Sequence, residues 1–325
     1  MIIDCHAHIA PPDLMAAIET EAATFPSLKL VPDPAGGFGL GFAGGKPTRP
    51  VAKPLIDIGA RLKWMDEQGV ERQVFGGWLD MFGYELPAEE GARWARLINR
   101  HLAALAKSQP RFVALATVPL QDGARAADVL REAHAMGMRG AMIGTQPKGV
   151  GGVLDDPQLE PFWKAADELG MALFIHPVFE SGDKRNADYG MANAIGRITD
   201  TLIAVSRIIY SGHILKYRNA RIVAGIGGAG LPWALGRLTK SWTLDKSLGN
   251  PAESLAQLYY DTIVHDAATL RFLADKVGVG RLMMGSDAPF PIGDLKPMDV
   301  VREAGFSASE TASINGGLAE KLFGL

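Results

Sequence analysis

One cysteine, Cys5, stands in the whole 325-residue chain, so no disulfide can close within it. A lone thiol agrees with a reducing compartment. No apolar run reaches the ~18 residues that a spanning helix needs, and the opening MIIDCHAHIA lacks the basic start of a secretory leader. A cytoplasmic protein with no membrane partner is the expectation. Charge of one sign is scarce too: 33 Lys and Arg stand against 36 Asp and Glu, a net charge of −3 with pI near 6.2. No basic block offers itself to nucleic acid or anionic lipid, which leaves a small molecule as the expected partner. What is plentiful is apolar side chain, at 47%, together with 38 Gly and 20 Pro. That composition supports a large core, in one α/β barrel or in two smaller domains.

Short apolar, β-branched runs alternate with longer amphipathic stretches from end to end. Eight strands are expected: Ile2 to Cys5, Glu71 to Gly76, Phe112 to Val118, Met138 to Ile143, Met171 to Ile175, Arg221 to Ala224, Leu258 to Ile263 and Arg281 to Gly285. Helical stripes separate them, such as Leu55, Ile58, Leu62 and Met65, or Trp94, Leu97, Leu102 and Leu105. Eight βα units make an α/β fold of the (β/α)₈ TIM-barrel type the economical reading. One insert breaks the rhythm. Thr24 to Lys53, rich in Gly and Pro, is too long for an ordinary connection and reads as a loop after strand one, either covering the substrate mouth or merely solvated.

Residues i and i+2 of a strand face one side, so His6 and His8 project together at the end of strand one. His176 ends strand five ahead of Pro177, and Asp287 follows strand eight. Each alone has a plain reading, as a solvated, core or helix-capping residue. In a barrel, strands one, five and eight all deliver their last residues to one mouth, where three imidazoles and a carboxylate suit Zn²⁺ or another divalent transition ion. His101 and His134 fall on helices, His213 lies before strand six at the opposite rim, and His265 follows strand seven near the mouth. Trp78, Phe82 and Tyr84 after strand two line a pocket or pack its rim. Gly225-Ile226-Gly227-Gly228-Ala229-Gly230 fits the G-x-G-x-x-G spacing. The acidic residue of a dinucleotide site should end the next strand, however, and Asp245 lies in a polar stretch between helices, so no nicotinamide or flavin is expected there.

IDCHAH, FIHP, YYDTIVHD and GSDAPFPIG, with ATVPLQDG and LDDPQLEPFWKAADELG, resemble the amidohydrolase-related metal enzymes typified by aminocarboxymuconate semialdehyde decarboxylase. The resemblance spans nearly the whole chain and implies one metal-dependent hydrolase-type barrel domain over residues 1–325. It implies His6, His8, His176 and Asp287 as metal ligands, with Arg49 and Lys46 in the first loop as binders of a substrate carboxylate. In that group a histidine ends strand six, and Ile226 stands in its place, which removes one acid–base group. Asp287 or His265 would then move protons. Three functions stay open: a decarboxylase of a small aromatic or unsaturated cyclic carboxylate, a hydrolase of a lactone or cyclic amide, or a metal-binding barrel of weakened catalysis. Members of the group commonly pair, so a homodimer is also implied.

Overall fold

The computed structural model describes residues 1–34, 36–149, 151–178 and 183–325. Its strands are β1 (Ile3–Ile9), β2 (Leu28–Pro32), β3 (Phe38–Phe42), β4 (Arg72–Gly77), β5 (Phe112–Ala114), β6 (Gly140–Gly144), β7 (Ala172–His176), β8 (Arg221–Ala224), β9 (Tyr259–Asp261) and β10 (Leu282–Met283). All but β2 and β3 run parallel, in two arcs, β1-β4-β5 and β6-β7-β8-β9-β10. The bridges Ala116↔Ala141 and Ala7↔Ala288 join the arcs at both ends and close an eight-stranded barrel. A barrel of this type gathers its chemistry at the C-terminal ends of the strands.

β1 is longer than its apolar run suggests. It does not stop at Cys5: all seven residues from Ile3 to Ile9 are buried, both histidines included, and the pairing with β4 slips between Asp4 and Ala7. Such a bulge re-aims side chains without ending the strand. β5, β9 and β10 are shorter than expected, and side-chain bonds join the backbone pairing that continues past them. The Thr117 peptide bonds to both ends of the Asn99 amide, at 2.8 and 2.9 Å, and the Ser286 amide donates to Asp4 at 2.9 Å.

The insert is a second correction. Instead of a loop, it forms the antiparallel hairpin β2–β3, paired from Leu28↔Phe42 to Pro32↔Phe38; Ala35 lies outside the described residues. Phe42 and the nearby Phe25 pack edge-on against Trp94 of the helix Ala88–Ser108. The glycines here serve close approach rather than mobility. A Cβ on Gly39 would meet the Thr48 carbonyl at 2.7 Å, the contact by which the hairpin holds the strand-like run leading to Arg49.

Candidate metal centre and active site

His6, His8, His176 and Asp287 each offer one donor atom, and these atoms lie within 4.8 Å of one another, all four residues buried. Donors about 2.0–2.2 Å from a shared ion sit roughly 3–4 Å apart, so slight contraction closes the set around a cation. The hydrogen bonds behind the rings orient them. His6 Nδ1 meets Asp261 Oδ2 at 2.8 Å, His176 Nδ1 meets the Pro177 carbonyl at 2.8 Å, and His8 Nδ1 lies 3.4 Å from the Gly77 carbonyl. These acceptors fix the proton on Nδ1 and turn the Nε2 lone pair inward. His6 Nε2 then faces His8 Nε2 at 3.2 Å, and Asp287 Oδ1, which accepts no hydrogen bond, lies 3.1 Å from His8 Nε2 and 3.6 Å from His6 Nε2. Lone pairs aimed at one point repel unless a positive ion occupies it. The donor set therefore fits a divalent transition metal.

Protonation follows the same logic. Burial pushes His176 well below the ordinary imidazole range, helped by the charges of His8, His6 and Arg197, and burial also lowers His8. Burial lowers His6 as well, but its hydrogen bond to Asp261 and the charges of Asp287, Asp261 and Asp4 carry it above its usual value. For Asp287, burial favours the acid; contact with His8 and the charges of His6, His8 and Arg197 outweigh it and keep the carboxylate ionised.

Beneath the cluster lies a polar lattice that strand periodicity does not reveal. Asp261, fully buried at the end of β9, accepts from His6 and from the amides of Ile226 at 3.0 Å, Gly227 at 2.6 Å and Ile263 at 3.2 Å. One carboxylate thus ties a candidate ligand to the loop after β8. Asp4 accepts from Ser286 Oγ at 2.6 Å and Gln73 at 2.8 Å, and Gln73 in turn accepts from Arg61, whose guanidinium is lowered by burial to about 10. An acidic residue inside an otherwise apolar strand, as in IIDC and YYDT, was the available signal.

Gly225 to Gly230 forms a tight turn before the helix Leu231–Leu244, where a Cβ on Gly227 would meet Val264 at 2.2 Å and one on Gly228 the Tyr260 ring at 2.7 Å. Asp245 only ends that helix. Ile226, His265 and Asp287 have left-handed backbones (φ 55°, 56° and 57°), one after each of β8, β9 and β10. A β-branched residue in that region is a strained outlier, and strain of this kind collects at functional sites. His265 does not join the four-residue cluster. It is exposed and lines, with Ile226, Trp233, Val264 and Phe272, a cavity of about 520 Å³.

A second cavity, of about 320 Å³, has Lys46, Arg49, Phe82 and Tyr84 in its walls, with the last two rings stacked 5.3 Å apart. Arg49 already holds Asp80 by a fork of two 3.0 Å bonds and lies over the Trp78 ring at 5.5 Å. Trp78 is buried behind it rather than lining the wall. Of the remaining histidines, His101 pairs with Asp13 at 2.9 Å and His134 is exposed on the helix Gly123–Ala135. His213 stands before β8, against Trp163 and Tyr217.

Among curated relatives, the 2-amino-3-carboxymuconate-6-semialdehyde decarboxylase of Dictyostelium discoideum is 29% identical over 290 residues, covering 86% of this chain and 80% of the relative. The crystal structure of 5-carboxyvanillate decarboxylase from Sphingomonas paucimobilis superposes with a TM-score of 0.82 at 25% identity, covering 100% of this chain and 99% of that one. A dihydroxybenzoic acid decarboxylase from Polaromonas sp. JS666, solved with bound manganese and 2-nitroresorcinol, shares the fold at TM-score 0.80 and 22% identity, over 100% and 97% of the two chains. Among the described residues no helix is long and apolar enough to cross a membrane. The family model described as Amidohydrolase matches residues 3–325, and the chain belongs to that family.

Proposed function

We propose that this chain, as one domain over residues 1–325, is a divalent-metal-dependent decarboxylase of a small aromatic or unsaturated cyclic carboxylic acid. The observation that carries the reading is the convergence of three Nε2 lone pairs and the Asp287 carboxylate on one point. The relatives named above are decarboxylases of small carboxylic acids, which supports the reaction. Three nitrogens and one carboxylate suit Zn²⁺, and Mn²⁺ is the competing occupant. When bound, the ion supplies a Lewis acid for the substrate's oxygens.

The chain's own residues do the rest. Arg49 and Lys46 draw the substrate's carboxylate into the mouth, and the stacked Phe82 and Tyr84 flank its ring. Asp287, held ionised, takes a proton from a substrate hydroxyl or acid group and returns it to the carbon that loses CO₂. The bond pair of the broken carbon–carboxyl bond stays on that carbon until the proton arrives. In this reading His265, exposed and outside the cluster, exchanges protons with solvent. The proposal includes the cytoplasm as its location and a homodimer, the latter supported by Trp233 and Leu244, 85% and 78% exposed on one helix.

Metal analysis and a screen of hydroxybenzoates and unsaturated cyclic acids for CO₂ release test the reading. Stoichiometric CO₂ and decarboxylated product, lost in His176→Ala, is the expected result. Acid release from lactones or cyclic amides without CO₂ would move the chain to hydrolysis, and metal binding with neither product would mark a scaffold of weakened catalysis.

A further inference from the structure

Tyr84 stands in the wall of the 320 Å³ cavity and is 5% exposed. Its Oη accepts a hydrogen bond at 3.0 Å from the amide of Gly144, the last residue of β6. A phenol oxygen that accepts one bond still carries its own hydrogen, and a buried tyrosine ordinarily finds an acceptor for it. Tyr260 gives its hydrogen to the Leu255 carbonyl at 2.9 Å, Tyr210 to the Leu238 carbonyl at 2.9 Å and Tyr217 to Glu160. Among the described residues the Tyr84 hydroxyl meets no such acceptor. Burial and the charge of Glu85 push the phenol above its usual range, against the pull of the Gly144 amide, so the hydrogen stays in place at neutral pH.

The fold fixes where this hydroxyl sits. A Cβ on Gly144 would lie 2.9 Å from the Tyr84 ring, 3.1 Å from Val178 and 3.2 Å from the Phe82 ring, so the bare glycine lets all three close over the end of β6. The two rings stack 5.3 Å apart and 7° from parallel. Gly144 is also the strand partner of His176, and the next amide, that of Thr145, donates to the His176 carbonyl at 3.2 Å. The amide that holds Tyr84 is therefore one strand away from a candidate metal ligand, a spacing of about 4.8 Å. Tyr84, Phe82 and Val178 all line the cavity, and with Gly144 on one side of Oη the hydrogen is directed away from β6.

Building on the decarboxylase reading, we propose that Tyr84 is a substrate-binding residue whose hydroxyl donates a hydrogen bond to an oxygen on the substrate's ring, a hydroxyl, phenolate or carbonyl separate from the carboxylate that Arg49 and Lys46 receive. A Tyr84 that only anchors Gly144 would be indifferent to that oxygen.

The test is calorimetric titration of the metal-loaded protein with benzoate and with 2-, 3- and 4-hydroxybenzoate, for wild type and for Tyr84→Phe. Wild type is expected to bind at least one hydroxybenzoate roughly 5- to 10-fold tighter than benzoate, the worth of one hydrogen bond. Tyr84→Phe keeps the ring and its stack on Phe82, and should bring the ratio of the two affinities close to one at unchanged metal content. Because the Gly144 amide loses its acceptor, the melting temperature should also fall, by about 1–4 °C. An anchoring hydroxyl would weaken all four ligands alike. No hydroxybenzoate preference in wild type, or a preference that survives Tyr84→Phe, would overturn the proposal. If Tyr84→Phe fails to fold, the fluorobenzoates decide on wild type, since fluorine is of similar size but accepts hydrogen bonds poorly: weaker binding than the matching hydroxybenzoate supports the donor, and equal binding overturns it. CO₂ release from the same hydroxybenzoates separates the two ideas. Release without a Tyr84-dependent preference removes the hydrogen bond and keeps the reaction, whereas the preference without release from any acid keeps the hydrogen bond and removes the reaction.

Discussion

Asp261→Asn is the sharpest perturbation the site allows, because it removes a charge and changes almost no volume. The native carboxylate accepts four hydrogen bonds, from His6 Nδ1 and Ile226 N on one oxygen and from Gly227 N and Ile263 N on the other. An amide has one acceptor oxygen. Whichever way it turns, its NH₂ faces two donors; His6 can answer by changing tautomer, so one buried donor loses its partner in that orientation and two in the other. At about 1–3 kcal/mol for each orphaned group, the loss is about 1–6 kcal/mol. For 325 residues the unfolding entropy is about 0.7 kcal/mol per degree, so the melting temperature should fall by about 1–9 °C.

Metal affinity should fall as well. If the NH₂ faces His6, the imidazole answers by accepting at Nδ1, which moves its proton to Nε2 and removes the lone pair aimed at His8 and Asp287. If the NH₂ turns the other way, the loop at Gly227 loosens instead. Loss of such a supporting partner typically costs 10- to 100-fold in metal affinity. Competition against a chromophoric chelator, with melting curves of the metal-free and metal-loaded forms, measures both effects. Unchanged affinity together with an unchanged melting temperature would refute the role given to Asp261.

Removal of the ion by chelation should lower the melting temperature by roughly 6 °C if it is present at a thousand times its dissociation constant, a contribution of about 4 kcal/mol; a melt that ignores chelator would refute the cluster as a metal site. Arg49→Ala should raise KM by about 10- to 100-fold at unchanged metal content, as expected for loss of a bidentate charged contact, and an unchanged KM would place Arg49 with Asp80 alone. Ile226→His should gain up to about 1 kcal/mol of stability, since histidine tolerates a left-handed backbone better than a β-branched residue does. The same variant should raise kcat without added metal, because it restores the acid–base imidazole that the family resemblance implies after β8; a lower kcat with metal retained would show that Ile226 shapes the substrate site.

The barrel was legible because each parallel strand is an apolar run with helices between, a pattern set by burial on both faces and carried by composition alone. Where reading failed, a different force was at work. The hairpin β2–β3 reads as a loop in the sequence because Gly-rich strands carry little apolar signal, yet Gly39 and Gly41 are strand residues, and the bareness of Gly39 lets the Thr48 carbonyl approach. From the sequence β1 reads as ending at Cys5 because a histidine in a strand looks polar, whereas these two are buried by their partners. The candidate ligands could be named from strand ends, since a barrel converts a position at a strand end into a position at the mouth. Asp261 and Asp4 could not be, because their importance lies in which donors meet them from elements far apart in sequence. His6 and Asp261 are 255 residues apart and 2.8 Å distant. Spacing along a strand predicts which side chains share a face, but only the closed ring decides what stands behind them. That division explains why the candidate ligand set is visible in the sequence while the residues that aim it emerge from the fold.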